Sequence, residues 1–245
     1  LNQAQPSLPM DMVGLLEAGE AAWSVVAGTT ASAEKRYLVS EADVTVLAPV
    51  PRAGKLVCMG HNYHDHMGAG RTEPPEYPTF FCKTANTITG PGQPIVIPKV
   101  TNQVDYEAEL AVIIGKRCRH VTQAQALSFV AGYTIFNDVS ARDYQNRTSQ
   151  WMIGKSFDTF GPMGPALVTT DEIPDPHRLD LWLTLNGLEM QRANTRNMIF
   201  PIPYVIAYLS DVMTLEPGDV ISTGTPAKTS LARTVPPFMK PGDYV

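Results

Sequence analysis

The clearest pattern in the chain is the alternation across 104–114. Val104, Tyr106, Ala108, Leu110 and Val112 fall on one side, and Asp105, Glu107, Glu109, Ala111 and Ile113 on the other. This period of two predicts a strand that begins half polar and then enters a core. The run Leu56-Val57-Cys58-Met59, stopped by Gly60, predicts a second buried strand. Further strands are expected over 133–139 and 179–185, the latter closed by the hairpin dipeptide Asn186-Gly187. A turn at Glu216-Pro217-Gly218-Asp219 precedes another strand at 220–222. Helical signals are sparser. Thr122 followed by Gln125 forms a capping-box pattern that predicts a short helix over 124–130, with Gly132 as its stop. Met10, Val13, Leu15 and Leu16 predict a helix over 9–20, and Val39 with residues 44–47 a short strand-like stretch before Pro49-Val50-Pro51. The expected architecture is therefore α+β and β-rich, with a small N-terminal subdomain (1–51) and a larger β domain (52–245).

Composition narrows the function classes. In 245 residues, 44% are hydrophobic and 18% charged, enough apolar material for a sizeable core. Nineteen Lys and Arg oppose 24 Asp and Glu, a net charge of −5 without a basic run, so nucleic acid is not an expected partner. No apolar stretch is long enough to cross a membrane, and the first thirty residues lack a basic segment followed by a continuous apolar core. The expectation is a soluble, cytoplasmic protein without membrane contact. Cys58, Cys82 and Cys118 lack C-x-x-C spacing, which predicts three buried, reduced thiols.

The acidic side of the 104–114 alternation carries the chemistry. Glu107 and Glu109 are two apart, so on one strand both carboxylates share a face. Because the strand continues as Leu-Ala-Val-Ile-Ile, unpaired carboxylates there would be costly and call for positive charge. From spacing alone, an acidic face turned to solvent or to Lys and Arg is the competing reading. Asp138, near the end of the next expected strand, would complete an all-oxygen set suited to Mg²⁺ or Mn²⁺, with Ca²⁺ also fitting such ligands. Gly60-His-Asn-Tyr-His-Asp-His places His61, His64 and His66 on a turn after a strand. There they would diverge, so one general base is more economical than an imidazole metal cluster.

Six segments, in this order, resemble the fumarylacetoacetate hydrolase family: GHNYHDH (60–66), VDYEAEL (104–110), NDVSARDYQ (137–145), GKSFDTFGPMGP (154–165), PDPHRL (174–179) and LEPGDVISTGTP (215–226). The resemblance spans 55–227 and implies a mixed β-sandwich roll, a homodimer, and a divalent metal held by Glu107, Glu109 and Asp138. It further implies His66 as water-activating base and Lys155 as charge stabiliser. Arg142 and Gln145 would orient a carboxylate-bearing substrate, and Thr225 would contact the substrate or metal-bound oxygens. Each has a structural alternative: Lys155 pairing with Asp158, Arg142 with Asp143 or a buried carboxylate, and Thr225 as a turn residue.

Three departures stand out. Where the family places a Glu three residues after the active-site His, this chain has Ala69, leaving Glu73 or Glu76 from the following loop, or a carboxylate from elsewhere in the chain, as substitutes. After Pro226, Ala227-Lys228-Thr229-Ser230 replaces an expected Gly-rich turn. The sequence stops at Tyr244-Val245, just after a Pro241-Gly242-Asp243 turn that the family usually follows with one or two strands, so a trimmed or partly ordered form is expected. The leading functional expectation is a metal-dependent hydrolase cleaving a C–C bond of a 1,3-dioxo acid of the acylpyruvate or fumarylpyruvate type. The alternative uses the same site for decarboxylation or tautomerisation of oxaloacetate, or isomerisation of a 2-hydroxydienoate. A non-catalytic ligand-binding protein is the third reading.

Overall fold

The computed structural model describes residues 7–67, 70, 72–234 and 238–245. Its strands are β1 (Leu56–Gly60), β2 (Thr79–Cys82), β3 (Ile88–Thr89), β4 (Val104–Asp105), β5 (Ala108–Ile114), β6 (Val130–Asn137), β7 (Ser140–Ala141), β8 (Gly161–Thr169), β9 (Asp180–Leu185), β10 (Leu188–Asn194) and β11 (Val220–Ser222). The helices are α1 (Met12–Ala31), α2 (Gln123–Ala126), α3 (Arg142–Gln145), α4 (Met152–Lys155) and α5 (Ile202–Val212). A mixed, curled sheet runs β2-β1-β11-β5-β6-β8-β3, and two-stranded sheets form from β9 with β10 and from β4 with β7. This is the expected β-rich α+β roll.

Every residue of β5 is buried because both faces are covered. Leu110, Val112 and Ile114 pack in one cluster with Ile202, Val205, Ile206 and Leu209, the apolar stripe of α5. Ala111 and Ile113 turn the other way, toward Leu56, Cys58, Phe136 and Met163. A strand covered on both sides needs apolar residues at every position, which explains the unbroken Leu-Ala-Val-Ile-Ile. Val104, Tyr106 and Ala108 meet a third cluster, built with Leu181, Leu183, Leu185 and Met190 of the β9–β10 hairpin. That hairpin turns at Asn186 and Gly187, both with positive φ (53° and 81°), as the dipeptide predicted.

Several elements depart from the expectations. The alternation over 104–114 is not one strand: β4 leaves the large sheet to pair with β7, and β5 pairs with β6. At the break, the Asn137 side-chain oxygen accepts from Glu107 N (2.9 Å) and Glu107 O accepts from Asp138 N (2.9 Å), so a side chain stands in for the ladder. The capping box holds, with Gln125 Oε1 accepting from Thr122 N (3.3 Å) and Oγ1 (2.8 Å). The helix, however, ends at Ala126, a 3-10 turn spans Leu127–Phe129, and Gly132 lies inside β6. Gly132 is there for close strand packing, since a Cβ would lie 2.1 Å from Val168 O.

The first helix is longer than expected and bends at Gly19; Asp11 caps it, accepting from Gly14 N at 2.8 Å. Val39, Val44 and Leu47 are exposed and not in a strand, because Ser40 accepts from Ala42 N and winds 41–43 into a 3-10 turn. Leu16, Ala48 and Val50 pack in the cluster that contains Leu56 and Cys58. Cys58 and Cys118 are buried, but Cys82 is exposed on the edge strand.

Candidate metal centre and active site

The break between β4 and β5 builds the site. By leaving the ladder at Glu107 and re-pairing at Ala108, the chain turns Glu107 toward the start of the β6–β7 connection, where Asp138 lies. One carboxylate oxygen from each of Glu107, Glu109 and Asp138 falls within 4.8 Å of the others. All three residues are buried, Glu109 and Asp138 completely. The solvent-facing reading of the acidic strand is thereby excluded.

Charge in this interior is balanced by cations that come from distant parts of the chain. Lys155 Nζ donates to Glu107 Oε2 and to Asp138 Oδ2, each at 2.6 Å. Lys83 Nζ donates to Asp138 Oδ1 at 2.7 Å and to Val139 O at 3.0 Å. Arg142 reaches Glu107 Oε1 at 2.6 Å through one terminal nitrogen, Gln145 Oε1 at 2.8 Å through the other, and Asp105 Oδ2 at 2.9 Å through Nε. Lys155 therefore does not pair with Asp158, which accepts from Asn86, nor Arg142 with Asp143, which accepts from Thr101. Gly154 permits this crowding, because a Cβ there would lie 2.3 Å from Gln145 N and push α4, with Lys155, off α3.

The three carboxylates differ in electrostatic environment. Burial alone would raise the Glu107 pKa, but Arg142 and Lys155 hold it well below the usual carboxylate range. Glu109 is raised, by burial first and then by the charges of Asp138 and Glu107. Its Oε2 accepts from Ser222 Oγ (2.5 Å) and Gly224 N (2.9 Å), while its buried Oε1 has no hydrogen-bond partner among the described residues. A fully buried carboxylate oxygen without a donor is costly. Together with an all-oxygen donor set, it fits a hard divalent cation.

His66 lies half-buried beside this centre, and its ring centre is 6.3 Å from that of His61. Burial lowers its pKa from 6.5, the Glu107 charge opposes that, and Arg142 assists it. His61 packs edge-on against Trp151, and His64 is exposed, so the segment diverges as expected. Asn62 anchors it, donating to Thr223 O (2.8 Å) and Phe200 O (3.2 Å) and accepting from Phe200 N (2.8 Å). Ala69 lies outside the described residues; Glu73 and Glu76 are exposed. Thr225 Oγ1 donates to Ala108 O (2.9 Å) and accepts from Gln191 (2.8 Å), tying the segment after β11 to the start of β5.

Sequence reasoning missed Lys83, Asp105, Ser222 and Lys228. Asp105 had a visible signal, being the first of three acids at alternate positions. Lys83 had a weaker one, a lone cation directly after the apolar strand Thr79–Cys82. Among the described residues no helix is long and apolar enough to cross a membrane.

Fold and site together define a β-roll protein with a buried, all-carboxylate centre suited to a divalent metal. The chain belongs to the fumarylacetoacetate hydrolase family: residues 55–245 match the fumarylacetoacetate (FAA) hydrolase C-terminal model. It is 45% identical to the mitochondrial oxaloacetate tautomerase FAHD2A of Bos taurus, over 100% of this chain and 78% of that protein. It is also similar to the crystal structure of 5-carboxymethyl-2-hydroxymuconate delta-isomerase from Mycobacterium smegmatis, with a TM-score of 0.72 and 42% identity over 83% of this chain and 76% of that one. Maleylpyruvate hydrolase from Sphingobium sp. SYK-6, in complex with manganese(II) and pyruvate, aligns with a TM-score of 0.77 and 35% identity over 92% and 80% of the two chains. These relatives are enzymes of tautomerase, isomerase and hydrolase type.

Proposed function

We propose that this protein catalyses keto–enol tautomerisation of a 2-oxo dicarboxylic acid, with oxaloacetate as substrate. Glu107, Glu109 and Asp138 would hold Mg²⁺ or Mn²⁺, and the active form is a homodimer. When bound, the ion supplies Lewis-acid stabilisation of the negative charge that develops on the 2-oxo oxygen. The residues around it do the rest. Arg142 and Gln145, already hydrogen-bonded to each other, orient a substrate carboxylate. Lys155, a buried ammonium between Glu107 and Asp138, keeps positive charge next to the oxygen side of the reaction. His66 moves the proton at C3: its neutral imidazole takes that proton from the keto form to leave the enolate, whose oxygen takes a proton from solvent to give the enol. In the reverse direction the enol O–H proton goes to solvent and the imidazolium returns a proton to C3 of the enolate.

One observation carries this choice over hydrolysis. His66 is a weakly basic, half-buried imidazole to which no described carboxylate is hydrogen-bonded, in a chain with Ala at 69 and with Glu73 and Glu76 exposed. Deprotonating water for attack on a carbonyl needs a base whose imidazolium is held by a partner. A C3 proton flanked by a carbonyl and a carboxylate is far more acidic and asks for less. The identity to oxaloacetate tautomerases across the whole chain supports the same reading. Hydrolysis of a 1,3-dioxo acid is the second reading, favoured by the likeness to maleylpyruvate hydrolase.

Mn²⁺-loaded protein should accelerate the decay of enol-oxaloacetate absorbance without releasing pyruvate, and chelator should stop it. Cleavage of acetylpyruvate or fumarylpyruvate into two fragments, without ketonisation of enol-oxaloacetate, would overturn the tautomerase in favour of the hydrolase. Pyruvate and CO₂ as the products would assign a decarboxylase.

A further inference from the structure

Lys228 stands in the segment that replaces the Gly-rich turn expected after Pro226. Its Nζ donates to Asp105 Oδ1 at 2.6 Å and lies 4.5 Å from the centre of the Tyr106 ring. The other oxygen of the same carboxylate takes Arg142 Nε at 2.9 Å. One carboxylate thus spans two cations, and Arg142 continues to Glu107 in the metal centre. Within this network Asp105 and Glu107 are 6% and 8% exposed, whereas Arg142 and Lys228 are 22% and 24% exposed. The two cations are the members that face outward.

The segment is held firmly. Thr229 N donates to Met190 O (2.8 Å), Thr229 Oγ1 to Glu189 O (3.0 Å), and Gln191 and Lys228 form a β-bridge. Ala227 N lies 3.5 Å from Asp65 Oδ1, so the segment borders the loop that carries His66. Lys228 is therefore fixed at the rim between the proton-transfer residue and Arg142. Asp105 and Glu107 hang on the same Arg142 guanidinium, so little more than that headgroup separates Lys228 from the carboxylate centre, the scale of a four-carbon acid. A substrate with its 2-oxo end at the carboxylate centre would bring its far end to these cations.

We infer that Lys228 and Arg142 form a paired clamp for the distal carboxylate, and that Lys228 is the residue selecting dicarboxylic over monocarboxylic 2-oxo acids. Arg142 is anchored on both sides by carboxylates, and Lys228 brings a second cation to Asp105, so the pair presents two positive headgroups on the outer side of the network. This rests on the proposal that the centre takes 2-oxo acids, and the test separates the two. Malate and lactate are stable 2-hydroxy acids that differ in the distal carboxylate, and their binding to Mn²⁺-loaded protein is measured by calorimetric titration. The wild-type chain should prefer malate, Lys228→Met should lose about 10- to 100-fold of that preference, and Lys228→Arg should retain most of it. With enol-oxaloacetate, Lys228→Met should raise KM by more than it lowers kcat. A wild-type chain with no preference for malate, or a Lys228→Met chain that keeps the preference, overturns the clamp. Malate preference dependent on Lys228 in a chain that does not ketonise enol-oxaloacetate upholds the clamp and overturns the tautomerase.

Discussion

Lys83 Nζ and Asp138 Oδ1 meet at 2.7 Å with neither side chain exposed to solvent. Burial lowers the Lys83 pKa, and the Asp138 charge opposes that shift, so the pair is sustained by mutual attraction in a site where either charge alone would be expensive. Lys83→Met leaves Asp138 with Lys155 as its remaining cation. Such a loss typically costs about 3–5 kcal/mol, and the denaturant midpoint of the metal-free variant should drop accordingly. Added Mn²⁺ should recover more stability in the variant than in the wild-type chain, because an ion at Asp138 replaces the missing charge. An equal gain in both chains would count against Asp138 as a ligand.

The ligand set itself gives a sharper test. Changes to outer-sphere partners of metal ligands commonly cost about 10- to 100-fold in affinity, so Glu107→Ala or Asp138→Ala should weaken Mn²⁺ binding by more than that. The free-ion signal in electron paramagnetic resonance, titrated against protein, reports it directly. The fold should survive at a cost like that of Lys83→Met, since buried cations lose a partner while the apolar clusters on both faces of β5 do not include these side chains. Folded variants that bind Mn²⁺ like the wild type would remove the centre from Glu107, Glu109 and Asp138.

Why the carboxylates were legible and their partners were not follows from sequence distance. Glu107 and Glu109 declare themselves because two acids at alternate positions run straight into Leu-Ala-Val-Ile-Ile, a local contradiction that calls for positive charge beside them. Lys83 and Lys155 lie 55 and 17 residues from Asp138, and no local pattern links them to it. Lys155 was placed through the family segment rather than through its neighbours. The break at 106–107 was hidden for another reason. Alternation persists through it, while the switch from β6 to β7 as partner is made by the Asn137 side chain, which periodicity does not see. The helix after Thr122 was overextended because Ala, Leu and Phe are also acceptable in the 3-10 turn and the strand that follow.

The pH dependence of turnover should carry the signature of His66. Its pKa is lowered from 6.5 by burial, and nearby Arg142 and Lys155 act in the same direction. A neutral base is therefore retained at neutral pH, and the acid limb of kcat/KM for enolisation should lie below 6.5 rather than at it. A bound divalent ion would move the limb further the same way. His66→Ala should lose about 10²–10⁴-fold in proton transfer at C3, read as solvent deuterium incorporation by NMR, and the limb should vanish with it. A limb at or above 6.5, or one that survives the substitution, would assign the base elsewhere.

His177 links stability to pH at a site away from the chemistry. In the segment Pro-Asp-Pro-His, Asp175 accepts from His177 N at 3.0 Å, and the imidazole Nε2 accepts from Ile202 N at 3.0 Å. The ring thus caps the first turn of α5, the helix whose stripe covers β5. An accepting Nε2 must be unprotonated, and a cation at a helix N-terminus would be unfavourable as well. Burial accordingly lowers the His177 pKa from 6.5, against the opposing charge of Asp175. The sign follows: as pH falls through 6.5 the unfolded chain takes up a proton that the folded chain refuses, so stability declines until the depressed pKa is reached. His177→Gln keeps an acceptor within reach but does not titrate. Its unfolding free energy should lose the His177 share of the slope just below pH 6.5, while at pH 8 it should differ from the wild type by no more than about 1 kcal/mol, the value of one such hydrogen bond. A wild-type chain and a His177→Gln chain with parallel stability profiles between pH 7 and 5 would show that the cap does not depend on the neutral imidazole.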